Sequence, residues 1–100
     1  MNDAISRDDY AAQLNTTFDA YLAKGKSTPL ELIEVTEMKV SGNRERFSLV
    51  FLGPLNGPVT QETLAVHHAT LGSMEIGLQA IAQELEGIQY QAIFNRRIDE

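Results

Sequence analysis

Two stretches of the chain alternate apolar and polar positions most regularly. In the run Phe47-Ser48-Leu49-Val50-Phe51, Phe47, Leu49 and Phe51 fall on one side of an extended chain and are expected to face a core. Near the C-terminus, Ile88, Tyr90, Ala92 and Phe94 recur with period two against Gln89, Gln91, Ile93 and Asn95, the pattern of an amphipathic strand weighted with aromatic rings. Weaker alternation places Phe18, Ala20 and Leu22 in phase within Thr16 to Ala23, and Leu64, Val66 and His68 opposite Thr63, Ala65 and His67 within Glu62 to His68.

Two segments are less simple. From Leu30 to Val40 neither parity is purely apolar, and a β-bulge near Leu32-Ile33 would bring Leu30 and Leu32 into phase with Val35. Between Ser73 and Leu85, Met74, Ile76, Leu78 and Ala80 alternate like a strand, whereas Leu78, Ile81, Ala82 and Leu85 fit a helical period. Gly77 disfavours a helix interior by about 1 kcal/mol. A strand is therefore expected first, with Gln83 to Gly87 as the connection to the next.

Punctuation between these runs comes from turn formers. Lys24 to Pro29 is polar and ends in proline, so it reads as a turn. Ser41-Gly42-Asn43 tolerates positive φ, and Leu71-Gly72 closes the strand that ends near His68. Gly53-Pro54-Leu55-Asn56-Gly57-Pro58 is expected to be an exposed loop, with the strand stopping before it. At the other end, Ser6 followed by Asp9 resembles a capping box, predicting a short helix over Arg7 to Leu14 that lays Tyr10, Ala11 and Leu14 on the sheet as a lid. The sum is one mainly β domain spanning residues 1–100: a small antiparallel barrel or two-layer sandwich of about six strands with one short N-terminal helix.

Charge narrows the classes of partner. With 14 acidic and 8 basic side chains the net charge is -6, which repels phosphate backbones and anionic membranes, so neither nucleic acid nor a membrane is expected as a partner. Arg96-Arg97 is followed at once by Asp99 and Glu100 and reads as a solvated tail. Cysteine is absent, removing thiolate metal sites and Cys nucleophiles. The first residues lack a basic and then apolar leader pattern, and no apolar run approaches the ~20 residues of a membrane span, so a cytoplasmic protein is the expectation.

Candidate chemistry is sparse. His67-His68 supplies the residue type used as base and metal ligand, but adjacent strand residues point to opposite faces and cannot chelate one ion together. His68 is expected to be a semi-buried polar residue near a turn, bonded to a backbone carbonyl. Glu31, Glu34 and Glu37, with Glu75, Glu84 and Glu86, read as solvated faces and edge protection. Gly53 to Pro58 lacks the Gly-Lys-Ser/Thr ending of a phosphate loop, and no serine lies in a Gly-x-Ser-x-Gly elbow. No catalytic residue, metal ligand or cofactor is assigned. Phe18, Tyr21, Phe47, Phe51, Tyr90 and Phe94 either fill the interior or line a pocket, and a barrel this small is expected to be packed solid.

Pro29-Leu30-Glu31-Leu32-Ile33-Glu34-Val35, Phe47-Ser48-Leu49-Val50-Phe51-Leu52-Gly53-Pro54, His68-Ala69-Thr70-Leu71-Gly72 and Tyr90-Gln91-Ala92-Ile93-Phe94-Asn95 together resemble the ordered motifs of short bacterial proteins in a domain-of-unknown-function family. The family's pattern has proline where this chain has Ala69 and a bulky residue where it has Gly77. The resemblance implies a compact β domain without catalytic residues and a loose link to phage-tail-collar-like proteins. These readings lead to a non-catalytic interaction or assembly domain. It would bind another protein or itself through Gly53 to Pro58 and exposed strand edges. A small-ligand-binding barrel using the aromatic set and His68 is the alternative, and an enzyme acting through His68 with Glu31, Glu34 or Glu75 is the third reading.

Overall fold

A computed structural model describes residues 5–22, 25–55 and 61–97. A helix, α1 (Arg7–Ala11), is followed by β1 (Thr17–Tyr21), β2 (Ser27–Val35), β3 (Lys39–Ser41), β4 (Arg44–Gly53), β5 (Gln61–His68), β6 (Gly72–Glu84) and β7 (Gly87–Arg97). The seven strands among the described residues belong to one antiparallel sheet of order β2-β1-β5-β6-β7-β4-β3. An added β2–β4 pairing joins the sheet back on itself, so β1, β2, β4, β7, β6 and β5 form a ring with β3 outside it. The ring is not a clean barrel, because β6 and β7 are paired only from Gln79↔Gln91 to Glu84↔Gly87 and part beyond that point.

The alternating runs become the inner face. Phe18, Ala20, Leu30, Leu32, Phe47, Leu49, Phe51, Val66, Ile76, Leu78, Ile88, Tyr90 and Ala92 are buried together in one core. Fully burying a side chain of the Leu or Phe size contributes roughly 1.5–3 kcal/mol, so these positions dominate the stability of the ring. Phe18 meets Phe51 edge-on at 5.3 Å between ring centroids. Tyr21 alone among the expected pocket rings points outward, since it follows Phe18 and Ala20 out of phase, and it is 47% exposed.

The bulge in β2 is present. Its register to β4 shifts between Leu32 and Glu34, which leaves Leu30 and Leu32 buried and lets Val35 pack against the core. Beyond β2, Thr36 stitches the gap before β3: its backbone N–H donates to the Ser48 carbonyl at 3.0 Å, and its hydroxyl accepts from the Ser48 N–H at 2.8 Å. A second irregularity, between Ala80 and Ala82 in the β6–β7 register, explains why Ser73 to Leu85 carries both periods: the segment is a strand through Glu84 whose phase slips at Ile81. The connection is accordingly shorter than expected, with Leu85 and Glu86 as the turn and Gln83 and Glu84 still in the strand.

Several boundaries differ from the sequence reading, each because pairing overrides local chemistry. Ser27, Thr28 and Pro29 belong to β2 rather than to a turn. Leu32 donates to the Thr16 carbonyl, so by alternation Pro29 lies opposite Asp19 in a pair that needs no donor toward β1, and proline fits the strand. Gly53 is the last residue of β4, buried and opposite Ile88, not part of an exposed loop. A Cβ there would lie 2.8 Å from Leu30 Cδ2 and 2.9 Å from Tyr90 Cε2, and one on Gly87 would collide with the Gly53 carbonyl oxygen, so this corner closes only with two glycines.

The helix is shorter than its predicted span, ending at Ala11, but its capping box forms. The Asp9 N–H donates to Ser6 Oγ at 3.1 Å and the Ser6 N–H to Asp9 Oδ2 at 3.2 Å. Tyr10 anchors it, buried against Phe18, Phe47 and Phe94, while Leu14 is left exposed. Arg96 is not a solvated tail residue. Strand β7 runs on to Arg97, placing the Arg96 guanidinium over the Phe47 and Phe94 rings at 5.2 and 4.8 Å and within 2.6 Å of the Ile5 carbonyl, to which it donates. Asp99 and Glu100 lie outside the described residues.

Candidate functional site

His68 ends β5 on its inward side and is 4% exposed. Its Nδ1 accepts from the Thr70 and Leu71 backbone N–H groups at 3.0 and 3.1 Å, so that nitrogen carries no proton in the neutral ring. Nε2 therefore holds the hydrogen and donates it to Thr16 Oγ1 at 2.9 Å, whose own hydroxyl donates to the Gln13 carbonyl at 2.6 Å. Every polar atom of the ring is satisfied. The partners are backbone N–H groups and a hydroxyl, not the expected carbonyl, because the turn from Ala69 to Leu71 aims its amides at the ring. Burial first, and the neighbouring His67 second, hold this imidazole below its ordinary pKa. The Phe18 ring lies 4.3 Å away.

The carboxylates named from sequence do not approach it. Glu31, Glu34 and Glu75 project outward from β2 and β6, on the opposite side of the sheet from His68. Glu37 is exposed between β2 and β3, Glu86 occupies the turn after β6, and Glu84 accepts from Gln89 Nε2 at 3.1 Å. Among the described residues no group of His, Asp and Glu is placed to hold a metal ion. Phe18, Phe47, Phe51 and Tyr90 fill the ring, and Phe94 stacks between Tyr10 and Phe47 at its edge. Of the loop from Gly53 to Pro58, Gly53 is buried, Pro54 half-buried and Leu55 exposed, while Asn56, Gly57 and Pro58 lie outside the described residues.

The outer face of β3, β4 and β7 carries a feature that sequence reading missed. Cross-strand register sets Lys39, Arg46 and Asn95 in one row and Ser41, Arg44 and Arg97 in the next. Residues two apart share a face, so Lys39, Arg44, Arg46 and Arg97 form one cationic wall, half of the chain's 8 basic residues. Lys39 stands directly opposite Arg46, and Arg44 directly opposite Arg97. Like charges so placed destabilise a sheet. None of the four has a carboxylate within ion-pair distance among the described residues, where the ion pair formed is Arg7–Asp8. Arg44 has Asn95 Oδ1 at 3.5 Å.

Two grooves run along this wall. One, of about 350 Å³, lies among Lys39, Ser41, Arg44, Arg46 and Asn95. The other, of about 460 Å³, shares Lys39 and Arg46 with it and reaches Gln91 and Ile93, with Glu37 on its rim. Ile93 is 62% exposed in the middle of β7. A third groove, of about 390 Å³, continues from Gln91 and Ile93 past Gly77 to Thr63, where β6 has parted from β7. The arrangement has an apolar centre, a cationic flank that includes Glu37, and an amide-rich flank that includes Glu62.

Fold and surface together define a small ring-like antiparallel β domain with a cationic outer wall on an acidic chain. Residues 5–94 match the model of a domain of unknown function, DUF6916, and the chain belongs to that family. No curated protein and no solved structure matches it. No helix among the described residues is long and apolar enough to cross a membrane.

Proposed function

We propose that this chain is a non-catalytic interaction domain that works within an assembly, contacting another polypeptide through the outer face of β3, β4 and β7. One observation carries the reading: two directly opposed like-charged pairs, Lys39/Arg46 and Arg44/Arg97, stand in successive rows to one side of the exposed Ile93, on a chain with 14 acidic side chains. A sheet selected only for stability gains from opposite charges at such positions. A partner that brings carboxylates to these cations and covers Ile93 accounts for the like-charged pairs and the exposed aliphatic side chain together. Nucleic acid fits poorly, because the net charge of -6 opposes its approach. His68 is assigned to structure, as the lock of the β5–β6 turn.

Replacing Ile93 with a photo-crosslinking residue in the cells that produce the protein tests this. The expected result is an adduct with a polypeptide at position 93 and none when the same residue replaces Glu86, which is exposed on the β6–β7 turn. No adduct at 93, or equal labelling at both positions, would contradict it.

A further inference from the structure

The occupant of the cationic wall can be named more closely, and the naming rests on the reading above. In the ring order β1–β2–β4–β7–β6–β5, strand β1 is three steps from β7 in either direction, so the two stand on opposite walls. The outward residues of β1 are Thr17, Asp19 and Tyr21, and Tyr21 is 47% exposed. Glu31 lies beside them on β2, opposite Thr17, and Glu75 faces out from β6 in the row that runs Tyr21, Ala65, Glu75. No Lys or Arg occupies an outward position of β1, β5, the paired part of β2 against β1, or β6 from Ser73 to Gln79; His67 stands opposite Asp19, and Lys26 lies in the β1–β2 hairpin. This wall is therefore the chemical complement of the other: an exposed apolar ring among carboxylates, against an exposed aliphatic side chain among cations.

We infer that the protein associates head to tail with copies of itself, the Lys39–Arg44–Arg46 wall of one copy seating on the Asp19–Glu31–Glu75 wall of the next, with Ile93 against Tyr21. Two-fold pairing is disfavoured, because like walls would face each other, cation on cation or carboxylate on carboxylate. A contact between different walls on opposite sides of one molecule is heterologous, so a growing series keeps one free wall of each kind at its two ends and either closes into a ring or extends. The opposed cations of β3, β4 and β7 then find carboxylates that none of the described residues of their own chain brings within ion-pair distance.

Charge exchange between walls gives the test. Two variants of the full chain are made, Lys39→Glu/Arg46→Glu and Asp19→Lys/Glu75→Lys, and each is followed by sedimentation velocity over a broad concentration range with circular dichroism as the check on folding. The wild-type chain is expected to form species heavier than a dimer, each variant alone to lose every species above the monomer, and an equimolar mixture of the two to regain the heavy species. The mixture restores both contacts, since in an alternating series the two unaltered walls meet at one contact and the two reversed walls, again of opposite sign, meet at the other. Ile93→Glu and Tyr21→Lys repeat the design with different residues should either first variant fail to fold. A wild-type chain that stays monomeric, or variants that assemble alone, would overturn the inference. If the wild-type chain is monomeric while position 93 still crosslinks to a different polypeptide, self-association falls and the interaction role stands. If position 93 labels nothing, both fall.

Discussion

At the scale of single residues, the informative side chain is His68, a buried imidazole at the end of β5. Its neutral ring is satisfied on both nitrogens, and adding a proton to Nδ1 would set an N–H against the two amides that now donate to it. The sign of the pH effect follows. The folded-state pKa lies below the unfolded value of ~6.5, so the unfolded chain binds the extra proton first as pH falls. The His68 contribution to stability is fully present above the unfolded value, declines as pH drops through it, and levels off once the folded ring also protonates. Urea denaturation at a series of pH values between neutrality and the onset of carboxylate titration is expected to show that decline in the wild-type chain and to lack it in His68→Gln. An equal slope in both would place the pH dependence elsewhere. The sequence places this residue near a turn, as observed, but half out of solvent, whereas it is buried; neither its depth nor the direction of its bonds is legible, because both depend on how Ala69 to Leu71 folds back.

Elements were legible where one face is buried and opaque where both faces carry mixed residues. The alternation in β4 and β7 transfers directly into burial, since Phe47, Leu49 and Phe51, and then Ile88, Tyr90 and Ala92, all point inward. The bulge in β2 could be placed because only an extra residue reconciles Leu32 with Val35. Strand β3 left no signal, since Lys39, Val40 and Ser41 are all exposed and are held by pairing to β4 alone. Strand β4 is the central element, paired with β7 along its length and with β2 and β3 on its other edge. Leu49, fully buried at its middle, is expected to cost about 2–5 kcal/mol when replaced by alanine. The check is the shift in denaturation midpoint at unchanged m-value, and a near-neutral result would remove β4 from the centre of the core.

At the scale of the whole molecule, the ring explains why the fold was readable and the candidate surface was not. Fold class depends on local alternation and turn chemistry, which each segment carries by itself. The cationic wall depends on register: Lys39, Arg46 and Asn95 become neighbours only when β3, β4 and β7 pair, and the three sequence segments show no common motif. The sequence alone therefore places contacts in the Gly53 to Pro58 loop, where glycine and proline announce themselves, and on strand edges that it cannot locate, and it reads Arg96-Arg97 as a tail. In the folded chain Gly53 closes a buried corner, Arg96 covers the Phe47 and Phe94 rings, and Arg97 joins the wall.

The central claim is that the opposed cations on β3, β4 and β7 serve a contact at the expense of the fold. Lys39→Glu isolates that trade, because it turns the like-charged pair with Arg46 into an attractive one without touching the core. Such a cross-strand pair is worth roughly 0.2–1 kcal/mol, so the variant is expected to be slightly more stable than the wild-type chain. The measurement is the native mass of the assembly recovered with the Lys39→Glu chain, with its denaturation midpoint as the control on folding. Loss of the assembly from a chain at least as stable as wild type is the predicted result. An intact assembly on that chain would contradict the account.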